Sequence, residues 1–315
     1  MLILITGAAG NLGGLLARHL LPTGARLRLM EHRTPIPPDL RSAANAEAVP
    51  ADLARPETLA AALGGVDVVV HFAGVLFSPR PERFLPTTNT FWFSNLLTAS
   101  IAAGVKRIVL ISFPHVEGAT IPDHPASGRL DGNPDSVHAR TRLQEEQLLF
   151  ARCAGTPTTP VVLRLGMVYG CGILMVDAAR WLARHRLLGV WRDPTWIHLL
   201  SIADYLAAAE AAATRDGVAG IYHAGDESPT TLQDFLDTAC DTWKLPRPWH
   251  LPFRMIVLAA ALCELCASLA RTRSPLTRDF IRIGRVSYCG DTARFRRDLV
   301  PVLRYPTLRD GLGTL

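Results

Sequence analysis

The stretch Leu2-Ile3-Leu4-Ile5-Thr6-Gly7-Ala8-Ala9-Gly10-Asn11-Leu12-Gly13-Gly14 decides the fold. Its first five residues are mostly apolar and branched, which suits a strand covered on both faces. The run breaks into glycines and continues with apolar residues at helical spacing, Leu12, Leu15, Leu16 and Leu20. It therefore reads as strand, loop and helix start. Gly7 permits the tight turn, Gly10 lets backbone N–H groups approach a pyrophosphate, and Gly13 lets the helix pack close to the strand. The helix N-terminus then offers unpaired N–H groups and a partial positive charge to an anion.

Outward from this loop, Arg26 to Met30 is the second strand and ends at Glu31. An acid about 20 residues beyond the glycines is placed to accept from the adenosine ribose hydroxyls and would repel a 2′-phosphate. NAD is the expected cofactor, with Arg33 close by keeping NADP open. The run Asp67 to Gly74 is apolar without alternation, and its small end, Ala73-Gly74, leaves room for a cofactor. His71 within it is expected to be a packed structural histidine. Val105 to Ser112 is a further strong strand.

Composition narrows the class. The chain has 315 residues, 49% hydrophobic and 19% charged, which excludes a disordered protein. Its net charge of +5 is almost all arginine, since Lys106 and Lys244 are the only lysines. No dense basic run is interleaved with aromatics, so no nucleic-acid partner is expected. The six cysteines are scattered, and buried free thiols are the default expectation. Cys263 and Cys266 form a Cys-x-x-Cys inside the apolar run Met255 to Leu269 with no second metal-like pair, so core packing is expected there and no metal site. The N-terminus reads as a strand rather than a signal peptide, and the expected compartment is the cytoplasm.

The Gly-x-x-Gly-x-x-Gly spacing resembles the short-chain dehydrogenase/reductase superfamily, and Thr6-Gly7-Ala8-Ala9-Gly10-Asn11-Leu12-Gly13 resembles its extended, epimerase/dehydratase-like branch. The resemblance implies cofactor contacts at Gly7, Gly10, Asn11, Leu12 and Gly13. It implies further contacts at the Asp52-Leu53 pair, where aspartate and backbone meet adenine, and at Ala73, Gly74 and Asn89. Val161 to Gly170 is similar to the family's Leu-Arg-x-x-x-Val-Tyr-Gly strand, whose end at Leu165 borders nicotinamide. Around Asn89, Trp92 and Phe93 replace small residues of the pattern. They imply either a tighter, more apolar pocket or simple core filling.

The family's chemistry positions are all changed. Taking Val116-Glu117-Gly118 against Val-Tyr-Gly puts the usual catalytic hydroxyl on Phe113, with Ser112 one residue early and on the opposite strand face. In the segment resembling Tyr-x-x-Ser-Lys-x-x-x-Glu, His138 takes the tyrosine position and Arg142 the lysine position. Their i, i+4 spacing keeps both on one helical face. Ala102 and Cys240 stand four before the two lysines, so the chain contains no Tyr-x-x-x-Lys. A phenol, with a pKa of about 10, needs a neighbouring cation to act as a base at neutral pH, whereas an imidazole, near about 6.5, does not. His138 is thus the candidate acid/base, and Arg142 a fixed cation that holds the nicotinamide ribose of the cofactor or an oxyanion without exchanging protons. The alternative is that both are relics on a solvated helix face, with Glu145 and Glu146 pairing the arginine.

The expected fold is α/β, a doubly wound parallel sheet with a smaller, mostly helical C-terminal lobe. Residues 1–225 are expected to form the dinucleotide-binding domain, with a small insertion around 170–195, and 226–315 the substrate lobe. The C-terminal part resembles the 3β-hydroxysteroid dehydrogenase-like members, which implies a lipophilic alcohol or ketone, sterol- or isoprenoid-like. The function that follows is an NAD(P)-dependent oxidoreductase or epimerase with rebuilt acid/base residues. The alternative is a cofactor-binding protein without turnover. For the apolar run 255–269, an interfacial helix with an arginine collar stands as alternative to core packing, giving peripheral membrane contact. A homodimer is left open.

Overall fold

The computed structural model describes residues 1–74, 81–270, 272 and 276–315. Seven parallel strands form the central sheet: β1 (Leu2–Thr6), β2 (Arg26–Glu31), β3 (Ala46–Pro50), β4 (Val68–His71), β5 (Arg107–Ser112), β6 (Thr159–Leu165) and β7 (Gly220–Ala224). Their spatial order is β7-β6-β5-β4-β1-β2-β3, so the order reverses between β1 and β4. Register there is set by Ile3 opposite Val68 and Ile5 opposite Val70.

Side-chain alternation in these strands feeds two cores. Ile3 and Ile5 point into one, with Leu16, Leu20 and Leu27, while Leu2 and Leu4 point into the other, with Val69, Phe93 and Leu97. The first core is covered by α1 (Asn11–Leu20) packed on α5 (Ile202–Thr214). The second lies under α2 (Trp92–Ala102) and α3 (Val137–Cys153). Leu16 is fully buried on α1, and truncating such a side chain to alanine costs about 2–5 kcal/mol. Phe93 is also fully buried and its ring sits 4.9 Å from that of His71, so it fills the core rather than a pocket. His71 is the packed histidine expected from its apolar strand, bonded to Thr6 Oγ1 at 2.8 Å.

Beyond the sheet the chain forms α4 (Leu174–Arg184), α6 (Leu232–Trp243), α7 (Phe253–Leu269) and α8 (Arg278–Gly284). Two expectations fail here. The run 255–269 is a helix, α7, but only Ile256, Ala260 and Ala267 of it are buried. Cys171 and Cys266 are exposed and Cys263 half-buried, so core packing accounts for neither cysteine of the Cys-x-x-Cys. The physical reason is that α7 meets the rest of the molecule along one narrow stripe. No group of metal-ligating side chains occurs among the described residues.

Candidate functional site

The carboxyl ends of β1 and β4 open a crevice at the point where strand order reverses. Gly7 leaves β1 at φ +71°, a backbone region that favours glycine. The Gly10 N–H donates to the Gly7 carbonyl at 2.8 Å. A Cβ on Gly13 would lie 2.5 Å from that same oxygen, so α1 can approach only because the residue is glycine. The first turn of α1 has no side-chain cap and no acid. Asn11 turns away from it: its Nδ2 donates to the Gly172 carbonyl at 2.7 Å, and its Oδ1 accepts from the Leu174 N–H at 3.2 Å. The Leu12 carbonyl accepts from the Tyr205 hydroxyl at 2.8 Å, which anchors the helix start to α5. The N–H groups of this turn are left for an anion, and the cradle fits a pyrophosphate.

At the end of β2, Glu31 Oε2 accepts the Ile36 N–H at 2.8 Å and pairs with Arg41. The Ile36 N–H and then Arg41 hold its carboxyl below the usual range. Asp52 Oδ1 accepts the Ala54 N–H at 2.9 Å, and its Oδ2 lies 3.4 Å from His32 Nε2. Asn95 on α2 donates to the Leu53 carbonyl at 2.9 Å and fixes that loop.

At the end of β4, Ala73 N–H donates to Thr6 Oγ1 at 3.3 Å, tying the two strand ends together. A Cβ on Gly74 would lie 3.2 Å from the Arg142 guanidinium and 4.0 Å from Asn89 Oδ1. Asn89 is buried in a π-helical turn, Pro86–Phe91, and donates to Thr141 Oγ1 at 3.2 Å. Gly74, Asn89 and Arg142, far apart in sequence, are thus brought together. Leu165, at the end of β6, is buried.

Helix α3 is started by Ser136, whose hydroxyl accepts from the Ala139 N–H at 3.1 Å, and this places His138 in the first turn. His138 is buried, with Nδ1 3.0 Å from Asp279 Oδ2 on α8. The carboxylate partner assigns the Nδ1 proton. One turn on, Arg142 pairs with Glu145 at 2.5 Å. Glu145 is fully buried; desolvation pushes its carboxyl up to about 7, against the pull of Arg142 and with the help of Glu146. The solvated-face alternative therefore fails. Only about a tenth of either the His138 or the Arg142 side chain is exposed (9% and 11%), and Glu146 does not pair with Arg142.

Glu146 belongs to a second network that the motif reading missed. It pairs with the fully buried Arg164 at 2.6 Å and accepts from Ser112 Oγ at 2.5 Å. Arg164 also pairs with Glu117, which accepts three backbone N–H groups, from Ser127, Gly128 and Arg129. Ser112 is therefore committed to this network. A signal was present: an arginine inside the apolar run Val161 to Leu165 must find buried carboxylates. Nothing in the spacing pointed to Asp279, which lies 141 residues from His138.

Comparison with known proteins agrees with this geometry. Residues 7–146 match the family model described as NAD(P)H-binding. The chain is 29% identical over 297 residues to 2-alkyl-3-oxoalkanoate reductase of Stenotrophomonas maltophilia, covering 88% of this chain and 87% of that one. It is 27% identical over 189 residues to mouse (Mus musculus) 3 beta-hydroxysteroid dehydrogenase type 7, covering 55% of this chain and 51% of the other. Among solved structures, UDP-glucuronic acid 4-epimerase from Bacillus cereus, in complex with a fluorinated UDP-glucuronic acid and NAD, superposes with a TM-score of 0.77 at 19% identity, over 100% of this chain and 97% of that one. Residues 7–146 therefore form an NAD(P)H-binding domain, the chain shares its fold with an epimerase solved with NAD, and an oxoalkanoate reductase and a 3 beta-hydroxysteroid dehydrogenase are among the proteins it is similar to.

Proposed function

We propose that the protein is an NAD(P)-dependent oxidoreductase that interconverts an alcohol and a carbonyl on a lipophilic, sterol- or isoprenoid-like substrate, with His138 in the role of the family's tyrosine. The observation that carries this reading is the His138–Asp279 pair, one helical turn from an arginine that overhangs Gly74 in the cofactor crevice. NAD(P), when bound, accepts or returns the hydride. His138 takes the hydroxyl proton as the alcohol is oxidised. Asp279 orients the imidazole and stabilises the imidazolium that forms. Arg142 stays charged at any working pH and holds ribose or oxyanion in place without exchanging protons. Proton transfer at an acidic C–H by the same histidine would serve an epimerase. The lipophilic substrate class is supported by the names of the relatives, an oxoalkanoate reductase and a steroid dehydrogenase.

The test is nicotinamide absorbance with a panel of lipophilic alcohols and ketones, and with sugar nucleotides as controls. His138→Gln is expected to lower kcat by about 10²–10⁴-fold with cofactor affinity unchanged by calorimetry. Unchanged turnover and an unchanged pH profile in that variant remove His138 from the mechanism. A second reading, a cofactor-binding protein without turnover, is favoured by one feature: the same pair clamps α3 to α8. In that case no substrate is turned over, and His138→Gln lowers the melting temperature without any activity to lose.

A further inference from the structure

Helix α7 shows the molecule one narrow buried stripe and shows solvent an apolar one. Met255, Leu258, Leu262, Leu265 and Leu269 are exposed by 54, 61, 54, 57 and 78%. Their alternating three- and four-residue spacing lines them up along about four turns, roughly 20 Å. Ala259 and Cys266 are exposed on the same helix. Its one carboxylate, Glu264, is drawn into an ion pair with Arg278 at 2.8 Å. A helix lying on a water-facing surface turns a polar face outward, so an outer face of this kind calls for a cover.

The surroundings of the helix N-terminus indicate the cover. The strand Trp249–Leu251 runs through Pro252 into α7 and pairs with Gly189–Trp191, against which α7 packs. Trp249 and Leu187 are exposed there, and the Trp249 indole N–H donates to the Arg186 carbonyl at 3.1 Å. Arg192 donates to the His250 carbonyl at 3.1 Å. Arg186, Arg192 and Arg254 are all exposed, and none of the three forms an ion pair among the described residues. An anionic surface is attracted by these charges, and Trp and Arg flanking an apolar stripe suit the level of lipid headgroups.

We infer that α7 seats the protein on a membrane surface carrying anionic lipid, its leucine stripe at the acyl boundary and Arg186, Arg192 and Arg254 among the headgroups. The helix lies on the membrane; among the described residues no helix is long and apolar enough to cross one.

Flotation of the full chain, with NAD present, on phosphatidylglycerol/phosphatidylcholine vesicles and on phosphatidylcholine alone tests this. The chain floats with the anionic vesicles, and binding weakens when salt is raised to about 0.5 M, as charge screening requires. The double variant Leu262→Glu/Leu265→Glu loses at least about tenfold in bound fraction while its circular dichroism melt and NAD binding stay as in the parent, the loss expected when apolar burial is replaced by charge. If that variant does not fold, Arg186→Ala/Arg192→Ala/Arg254→Ala serves instead, and it loses the preference for anionic over neutral vesicles. Failure of the parent to float on anionic vesicles at low salt overturns the inference. So does a dimer, measured by light scattering, that the double variant converts to monomer without any flotation of the parent.

Discussion

Arg142 and Glu145 stand three residues apart on α3, and burial makes the two halves of the pair unequal. Glu145→Gln puts a neutral amide where a carboxyl pushed up to about 7 is already half protonated, so it is expected to change stability at pH 7 by less than about 1 kcal/mol. Arg142→Gln leaves that carboxyl to take up a proton, and is expected to cost less than the about 3–5 kcal/mol of breaking a permanently charged buried pair. Urea unfolding at pH 7 measures both, and a loss of about 3–5 kcal/mol in Glu145→Gln would contradict the assignment of Glu145 as the group that can neutralise itself. A second residue-scale outcome concerns the cofactor. Glu31→Gln is expected to weaken NAD binding about tenfold and to narrow the gap to NADP. With its carboxylate partner removed, Arg41 becomes available to a 2′-phosphate. Calorimetry with both dinucleotides reads the change, and an unaltered ratio would separate Glu31 from cofactor choice.

At the scale of elements, the contact of α1 with the Gly7 turn is the most exacting. A methyl at Gly13 must displace the Gly7 carbonyl or the helix. Gly13→Ala is therefore expected to cost about 1–3 kcal/mol and to abolish cofactor binding, because it moves the N–H groups that form the cradle. Leu16→Ala, one turn further on the same helix, destabilises through a cavity instead, and should leave the affinity of the remaining folded protein close to that of the parent. Calorimetry on the two variants below their melting temperatures separates cradle geometry from core packing. If both lose binding alike, the loop has no special role.

The whole molecule carries a set of buried ionisable groups whose effects on stability oppose one another. Burial lowers His71 to about 3 and His115 to about 4, so each is neutral when folded and takes up a proton when unfolded below about 6.5. Each therefore removes stability as pH falls through that window, by about 1.4 kcal/mol per pH unit. Burial raises Glu145 and Asp226 to about 7, so the folded state holds their protons while the unfolded state has lost them. Those two add stability as pH falls from 7 toward 4.5. Between about 4.5 and 6.5 the two sets offset, and a shallow dependence is expected. Below about 4.5 the acids no longer compensate. Burial works to raise Glu117, but His223, the Gly128 N–H and Arg164 outweigh it and hold it at about 2, so its contribution is then lost as well. Stability should fall steeply there. Urea midpoints from pH 3.5 to 8 test this, and a steep loss beginning at 6.5 would mean that Glu145 or Asp226 is ionised in the folded state.

What the sequence determined by itself is the part built from local pattern. The apolar runs, the glycine loop and the helix periodicities define β1, α1 and the cofactor cradle, because strand pleat, turn sterics and helix pitch are fixed within a few residues. The i, i+4 spacing likewise put His138 and Arg142 on one face of α3. Tertiary structure alone decided what that face meets. Asp279 reaches His138 from α8, Gly74 and Asn89 close around Arg142, and Glu145 and Glu146 divide between two arginines instead of sharing one. The exposure of α7 was equally undecided by composition, since an apolar helix reads the same whether it is wrapped on all sides or only along Ile256, Ala260 and Ala267. Burial and ion pairing are sums over chain segments distant in sequence, and no local spacing encodes which of them arrive.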